Sequence, residues 1–156
     1  MNDHQAIVDL TVAYTWALDT KQVEQLREVF AADATATLRG VECDGVDAII
    51  SRIGGSIMRL DATQHMIGNH QVVVTGDEAT CRCQLQSQHV KHGTEGGDTF
   101  LIGGHYEDRL VRTADGWRIK HRVMAQTWTT GNPAVTAQSR LLIPCRGSCG
   151  SSHRIV

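Results

Sequence analysis

The sequence predicts an α+β fold, with helices first and then a curved, mostly antiparallel sheet that the helices cover on one face. Apolar residues recur at helical spacing as far as Leu60. From His65 onward the period changes to two, and the turn signals TGDE, GTEGGD and TADGW divide that part into strands.

Asp3 reads as an N-cap, and after it Ile7, Leu10, Tyr14, Ala17 and Leu18 form one apolar face of a first helix. Thr20 reads as the cap of a second helix, with Val23, Leu26, Val29 and Phe30 as its stripe. ATATL (34–38) alternates like a short strand. GVDAIISRIGGSIMRL (45–60) keeps a helical period through Ile49, Ile50, Ile53, Ile57 and Leu60, while Gly54 and Gly55 mark a bend or a close approach. Four strands follow, near 65–75, 79–92, 99–113 and 116–128. These elements form one domain over 1–130. The tail, 131–156, holds Arg140, Arg146 and Arg154 but no acid, and NPAVTAQSRLLIP reads as a short helix with Asn132 as cap and Pro133 at its first position.

The chain of 156 residues is long enough for one proper core. Its net charge of −2 leaves no electrostatic footprint for nucleic acid. No run reaches membrane-spanning length, and MNDHQAIVDL lacks the basic start and apolar block of a signal peptide, so the expectation is a soluble cytoplasmic protein. The five cysteines are an odd number; Cys81 and Cys83 share a strand face, and Cys145 and Cys149 lie in the tail. Reduced structural thiols are expected, and no CxxC or HxxxH pair marks a metal site.

Strand parity sorts the polar residues. Ala79, Cys81, Cys83, Leu85, Ser87 and His89 share the apolar face of their strand, so His89 points inward. Phe100, Ile102, Gly104 and Tyr106 do the same in the next strand, leaving His105 outside. In the last strand Trp117, Ile119, His121 and Val123 share one face, which puts Arg122 on the other unless a bulge re-aims it. By the same rule His70 falls on the opposite face from His65.

One residue resists a purely structural account. YTWALDTKQ ends the apolar first helix in an acid, Asp19, where the helix dipole disfavours negative charge by about 0.3–1 kcal/mol. Either Asp19 is a solvated surface acid, or a carboxylate is needed there beside apolar walls.

The stretches AYTWALDTKQVEQLREVFAADATA, TQHMIGNHQVVVTGDEA and GGHYEDRLVRTADGWRIKHRVMAQTW together resemble the SnoaL-like branch of the nuclear transport factor two-like superfamily. Within that branch they are similar to the scytalone dehydratase, lindane dehydrochlorinase and bile-acid 7α-dehydratase families. The resemblance implies a cone-shaped α+β barrel around a pocket, and a cofactor-independent lyase (a dehydratase or dehydrohalogenase) acting on a hydrophobic small molecule. It implies an Asp–His dyad of Asp19 and His65, with Tyr14, His89 and Arg122 at further catalytic positions. It also implies a homo-oligomer, a trimer favoured over a dimer. An isomerase or cyclase would use the same first proton abstraction. A ligand-binding domain without catalysis would keep Asp19 and His65 as a structural pair.

Overall fold

A computed structural model describes residues 2–137 of the chain. The tail residues Arg140, Cys145, Arg146, Cys149 and Arg154 lie outside the described residues. Helix α1 (Asp3–Asp19) leads through a short 3-10 helix (Val23–Glu28) into strands β1 (Phe30–Leu38) and β2 (Val41–Asp44). Helix α2 (Val46–Ile57) follows, then β3 (Ala62–Thr75), β4 (Glu78–Val90), β5 (Thr99–Thr113) and β6 (Gly116–Gly131), and a last 3-10 turn (Pro133–Thr136). The strands form one sheet in the order β2-β1-β6-β5-β4-β3. Of its strand pairs only β1 with β6 is parallel. The sheet is open, with β2 and β3 as its edges, so sheet and helices together wall the interior.

Most elements arise where periodicity puts them, with local differences. Asn2, not Asp3, caps α1, its side chain accepting from the Gln5 N–H at 2.8 Å. Asp3 is the first helical residue and accepts bonds from Arg112 and the Trp117 indole, tying α1 to the β5–β6 hairpin. The expected second helix is only the 3-10 turn, because Phe30 already pairs with Ile119 of β6 and the ladder takes over. In the tail, Asn132 does cap the turn that begins at Pro133, accepting from the Ala134 N–H.

Helix α1 packs mainly along β3, and α2 covers β1 and the first 3-10 turn. The core lies between these helices and one face of the sheet, where Ile7, Leu26, Phe30, Ile49 and Ile119 are fully buried. Among the described residues no helix is long and apolar enough to cross a membrane.

Register shifts break the alternation of the long strands. One falls between Gly68 and Gln71 of β3, where Asn69 takes φ +55°. Two more lie between β5 and β6, leaving Lys120 and Thr127 without partners. Each extra residue reverses the parity beyond it. The Lys120 bulge turns His121 and Val123 outward and Arg122 and Met124 inward, overturning simple alternation. The Asn69 bulge brings His70 back to the side of His65, where it meets Thr11 of α1 at 3.0 Å.

The Thr127 bulge needs two glycines opposite it. A Cβ on Gly104 would stand 2.1 Å from the Ala125 carbonyl oxygen, and one on Gly103 would stand 1.9 Å from the Trp128 ring. Trp128 is 44% exposed and can swing away, whereas the carbonyl moves only with the strand. Gly104→Ala is therefore expected to cost about 2–3 kcal/mol, the upper part of the usual overpacking range, and Gly103→Ala clearly less. Urea unfolding of both variants checks the order.

Candidate functional site

The end of α1 meets the start of β3. Asp19 is the last helical residue, and Thr63 and His65 face it from the first residues of the strand. One carboxylate oxygen accepts from the Thr63 hydroxyl at 2.9 Å and from His65 Nδ1 at 2.6 Å. The other accepts from the His65 backbone N–H at 2.8 Å. Hydrogen bonds to a charged acceptor contribute about 1.5–3 kcal/mol each, enough to outweigh the dipole penalty on an acid at this position. Burial pushes the Asp19 carboxyl up, but the bonds from His65 and Thr63 win and hold it below its ordinary value. An ionised Asp19 fixes the His65 tautomer, with Nδ1 donating and Nε2 left bare.

Beside His65 lies a cavity of about 100 Å³, roofed by α1 and α2 and floored by the sheet. Tyr14, His65, His89 and Tyr106 are among its walls. The His65 and His89 rings meet edge to face with centroids 5.8 Å apart. His89 Nδ1 donates to the Phe100 carbonyl at 3.2 Å, so its Nε2 is also bare. Burial, with His65 as its neighbour, pulls the His89 imidazole down to about 4, and it is neutral at ordinary pH. Burial likewise raises the Tyr14 phenol against the opposing charge of Arg122, which keeps it a protonated donor.

Arg122 stands one layer behind. It does not line the cavity; its guanidinium donates to both Asp108 oxygens, at 2.7 and 2.6 Å. Both residues of this pair are buried. Burial opposes the Arg122 charge, but Asp108 outweighs it and keeps the group protonated. The remaining nitrogen, Nη1, has no hydrogen-bond acceptor among the described residues, and the faces of Tyr14 and Tyr106 flank the guanidinium at 4.1 and 4.2 Å. Thus Asp19, His65, Tyr14 and His89 converge, and Arg122 supports the tyrosine wall. Sequence reasoning missed Tyr106 as a wall residue, and missed Arg39 and Arg52 at the cavity altogether. Tyr106 was legible only as an inward-facing apolar residue, and neither arginine falls in a motif.

A larger concavity, about 880 Å³, lies on the opposite face of the sheet. Its His105 and Glu107 side chains, 3.5 Å apart, are open to water, and no desolvated acid–base pair forms there. The cavity at His65 is the better candidate despite its size. Cys43, Cys81 and Cys83 are free and buried. Burial pushes the Cys81 and Cys83 thiols up to about 12 and about 11, which makes them poor nucleophiles. Among the described residues no group of three His, Cys, Asp or Glu side chains is arranged to hold a metal ion.

An open α+β sheet roofed by helices is the nuclear transport factor 2-like architecture. The chain belongs to the SnoaL-like domain family, whose profile matches residues 1–123. It is 35% identical over 141 residues to terrestric acid biosynthesis cluster protein E of Penicillium crustosum, covering 86% of this chain and 90% of that one. Solved structures of other proteins share its fold. Kfla4162 from Kribbella flavida has a TM-score of 0.80 at 24% identity, over 86% of this chain and 97% of that one. Hexachlorocyclohexane dehydrochlorinase LinA-type3 from Novosphingobium barchaimii has a TM-score of 0.73 at 19% identity, over 83% and 90%.

The two acidic transitions of stability should separate. The unfolded chain protonates His89 near 6.5, whereas the folded chain resists until about 4, so stability falls as pH falls through that window, by about 3 kcal/mol. The Asp19 contribution, from a depressed carboxyl, persists to lower pH and is lost only below the ordinary carboxylate range. His89→Gln is expected to flatten the first decline and leave the second, as read from urea midpoints across pH.

Proposed function

We propose that the chain is a cofactor-independent lyase that removes a proton from carbon and expels a leaving group from the neighbouring carbon. The observation that carries this is the 2.6 Å bond from His65 Nδ1 to Asp19, which leaves Nε2 bare beside the cavity. In the proposed reaction Nε2 takes the proton. The C–H electron pair becomes the new double bond, and the leaving group departs with its own pair as hydroxide or halide. Asp19 stays ionised and compensates the imidazolium. A base so held contributes typically about 10²–10⁴-fold.

The leaving group or an adjacent carbonyl oxygen needs a hydrogen-bond donor. Neutral His89 uses its one N–H on Phe100, so Tyr14 takes this role, and His89 keeps the wall polar and uncharged. Arg122 acts through Tyr14 and Tyr106 as a positioning residue. At about 100 Å³ the cavity is smaller than the ~150 Å³ that takes benzene, so it holds the reacting fragment while the rest of the substrate extends through the mouth. The dehydrochlorinase among the fold relatives and the biosynthesis-cluster relative support small-molecule chemistry of this kind.

The same reading includes a cytoplasmic homotrimer. The outer face of the sheet exposes Met66, Val73 and Trp128, apolar surface that further copies would cover. Light scattering at micromolar concentration is expected to give a trimer mass, and a monomer rejects the assembly.

The catalytic test uses a panel of β-hydroxy ketones, hydroxylated steroids and chlorinated cyclohexanes, with proton exchange at the acidic carbon as a second readout. His65→Gln is expected to abolish turnover while the fold persists. Asp19→Asn should lower kcat by about 10²–10⁴-fold, since the amide removes the counter-charge and can select the wrong tautomer. Tyr14→Phe should cost less, and the two dyad changes should not add. Wild-type turnover in His65→Gln overturns the mechanism.

A further inference from the structure

We propose that the substrate carries an anionic oxygen group, a carboxylate or an acidic enol, which Arg39 and Arg52 hold at the mouth of the cavity. This rests on the cavity at His65 being the substrate site. Both arginines line that cavity, and its wall contains no Asp or Glu among the described residues.

Their placement comes from two separate elements. Arg39 and Gly40 form the two-residue turn between β1 and β2, with φ of +53° and +76°. Such a turn favours Asn, Asp or Gly at its first position, so a long cationic side chain there runs against local preference. Arg52 projects from the middle of α2, which packs over β1.

Neither guanidinium forms an ion pair or a hydrogen bond with a described residue. By contrast, Arg27, Arg112 and Arg122 each meet a carboxylate. Desolvation, with the nearby charge of Arg52, pulls the Arg39 guanidinium below its ordinary value, and the Arg39 charge also reaches His89. Two like charges at a partly dry mouth repel each other. An anion between them turns that repulsion into two charge-assisted contacts. A guanidinium offers paired N–H groups in the geometry a carboxylate accepts. Held at the mouth, the anionic group would leave the rest of the molecule directed toward His65, which is the distribution of binding and chemistry that the small cavity requires.

The probes are crotonate and crotonamide, four-carbon molecules of the same shape and different charge. Each is titrated into the full-length protein at neutral pH, with the His65 and His89 ring signals followed by NMR. Crotonate is expected to saturate at a concentration about tenfold or more below crotonamide. The Arg39→Gln/Arg52→Gln double variant should abolish the difference, and Arg39→Lys/Arg52→Lys should keep part of it. Circular dichroism establishes that both variants remain folded. Equal affinity of the two probes, no saturation by crotonate at tens of millimolar, or a preference that survives the double Gln variant overturns the proposal. His65→Gln separates the two readings: it should keep the crotonate preference, read at His89, while losing turnover. A preference retained alongside wild-type turnover sinks the dyad mechanism and leaves the anion clamp standing.

Discussion

The interior of this protein is organised by one carboxylate. Asp19 accepts three hydrogen bonds from Thr63 and His65, and so joins the last residue of α1 to the first residues of β3. The junction fixes how far α1 slides along the strand it packs on. One face of α1 supplies Tyr14 and Leu18 to the cavity, and β3 supplies His65, so their separation is set by this contact. Farther along, Thr11 and His70 meet between the same two elements. Two polar contacts along one helix–strand interface define its alignment better than apolar packing alone, because hydrogen bonds are directional and buried polar groups tolerate no slip.

Much of this was legible in the sequence, where a period or a misplaced charge announced it. The switch from helical to alternating periodicity located α1, α2 and the four long strands. An acid at the apolar end of a helix marked Asp19. Alternation along β4 placed His89 inside, and β4 carries no extra residue against β5 to spoil it. The failures of parity share one cause. Lys120 and Asn69 each insert a residue that no side-chain pattern declares, and beyond each the faces exchange. Alternation alone would have left Arg122 in water, yet it is fully buried against Asp108. The short edge strand β2 was missed because only Cys43 in it is buried, which is too little for a pattern. Arg39 and Arg52 were missed because cavity walls are assembled from elements distant in sequence.

The arginines show how differently one side chain is accommodated within a small domain. Arg122 is taken fully out of water, and breaking such a pair costs about 3–5 kcal/mol, so Asp108 is indispensable to it. Its flat faces rest against Tyr14 and Tyr106, which carries the influence of that ion pair to the cavity wall without exposing a charge there. Arg39 and Arg52 keep contact with solvent at the rim, where a charge is tolerated without a partner among the described residues. The cavity thus has a neutral inner wall around His89 and a positive rim.

Strand order also governs timing. β1 lies beside β6, so the first strand of the sheet to be synthesised pairs with the last. The cavity takes Leu38 from β1 and Met124 from β6, and has no complete floor until both are docked. The β3–β4–β5–β6 meander can assemble by successive hairpins, which are local and fast. Closing the β1–β6 pair requires loop closure across most of the chain, and non-local pairing of this kind slows folding. During synthesis the N-terminal helices and β1 therefore emerge well before their parallel partner, and Phe30 and Ala36, buried in the finished fold, lack their β6 neighbours until that strand leaves the ribosome.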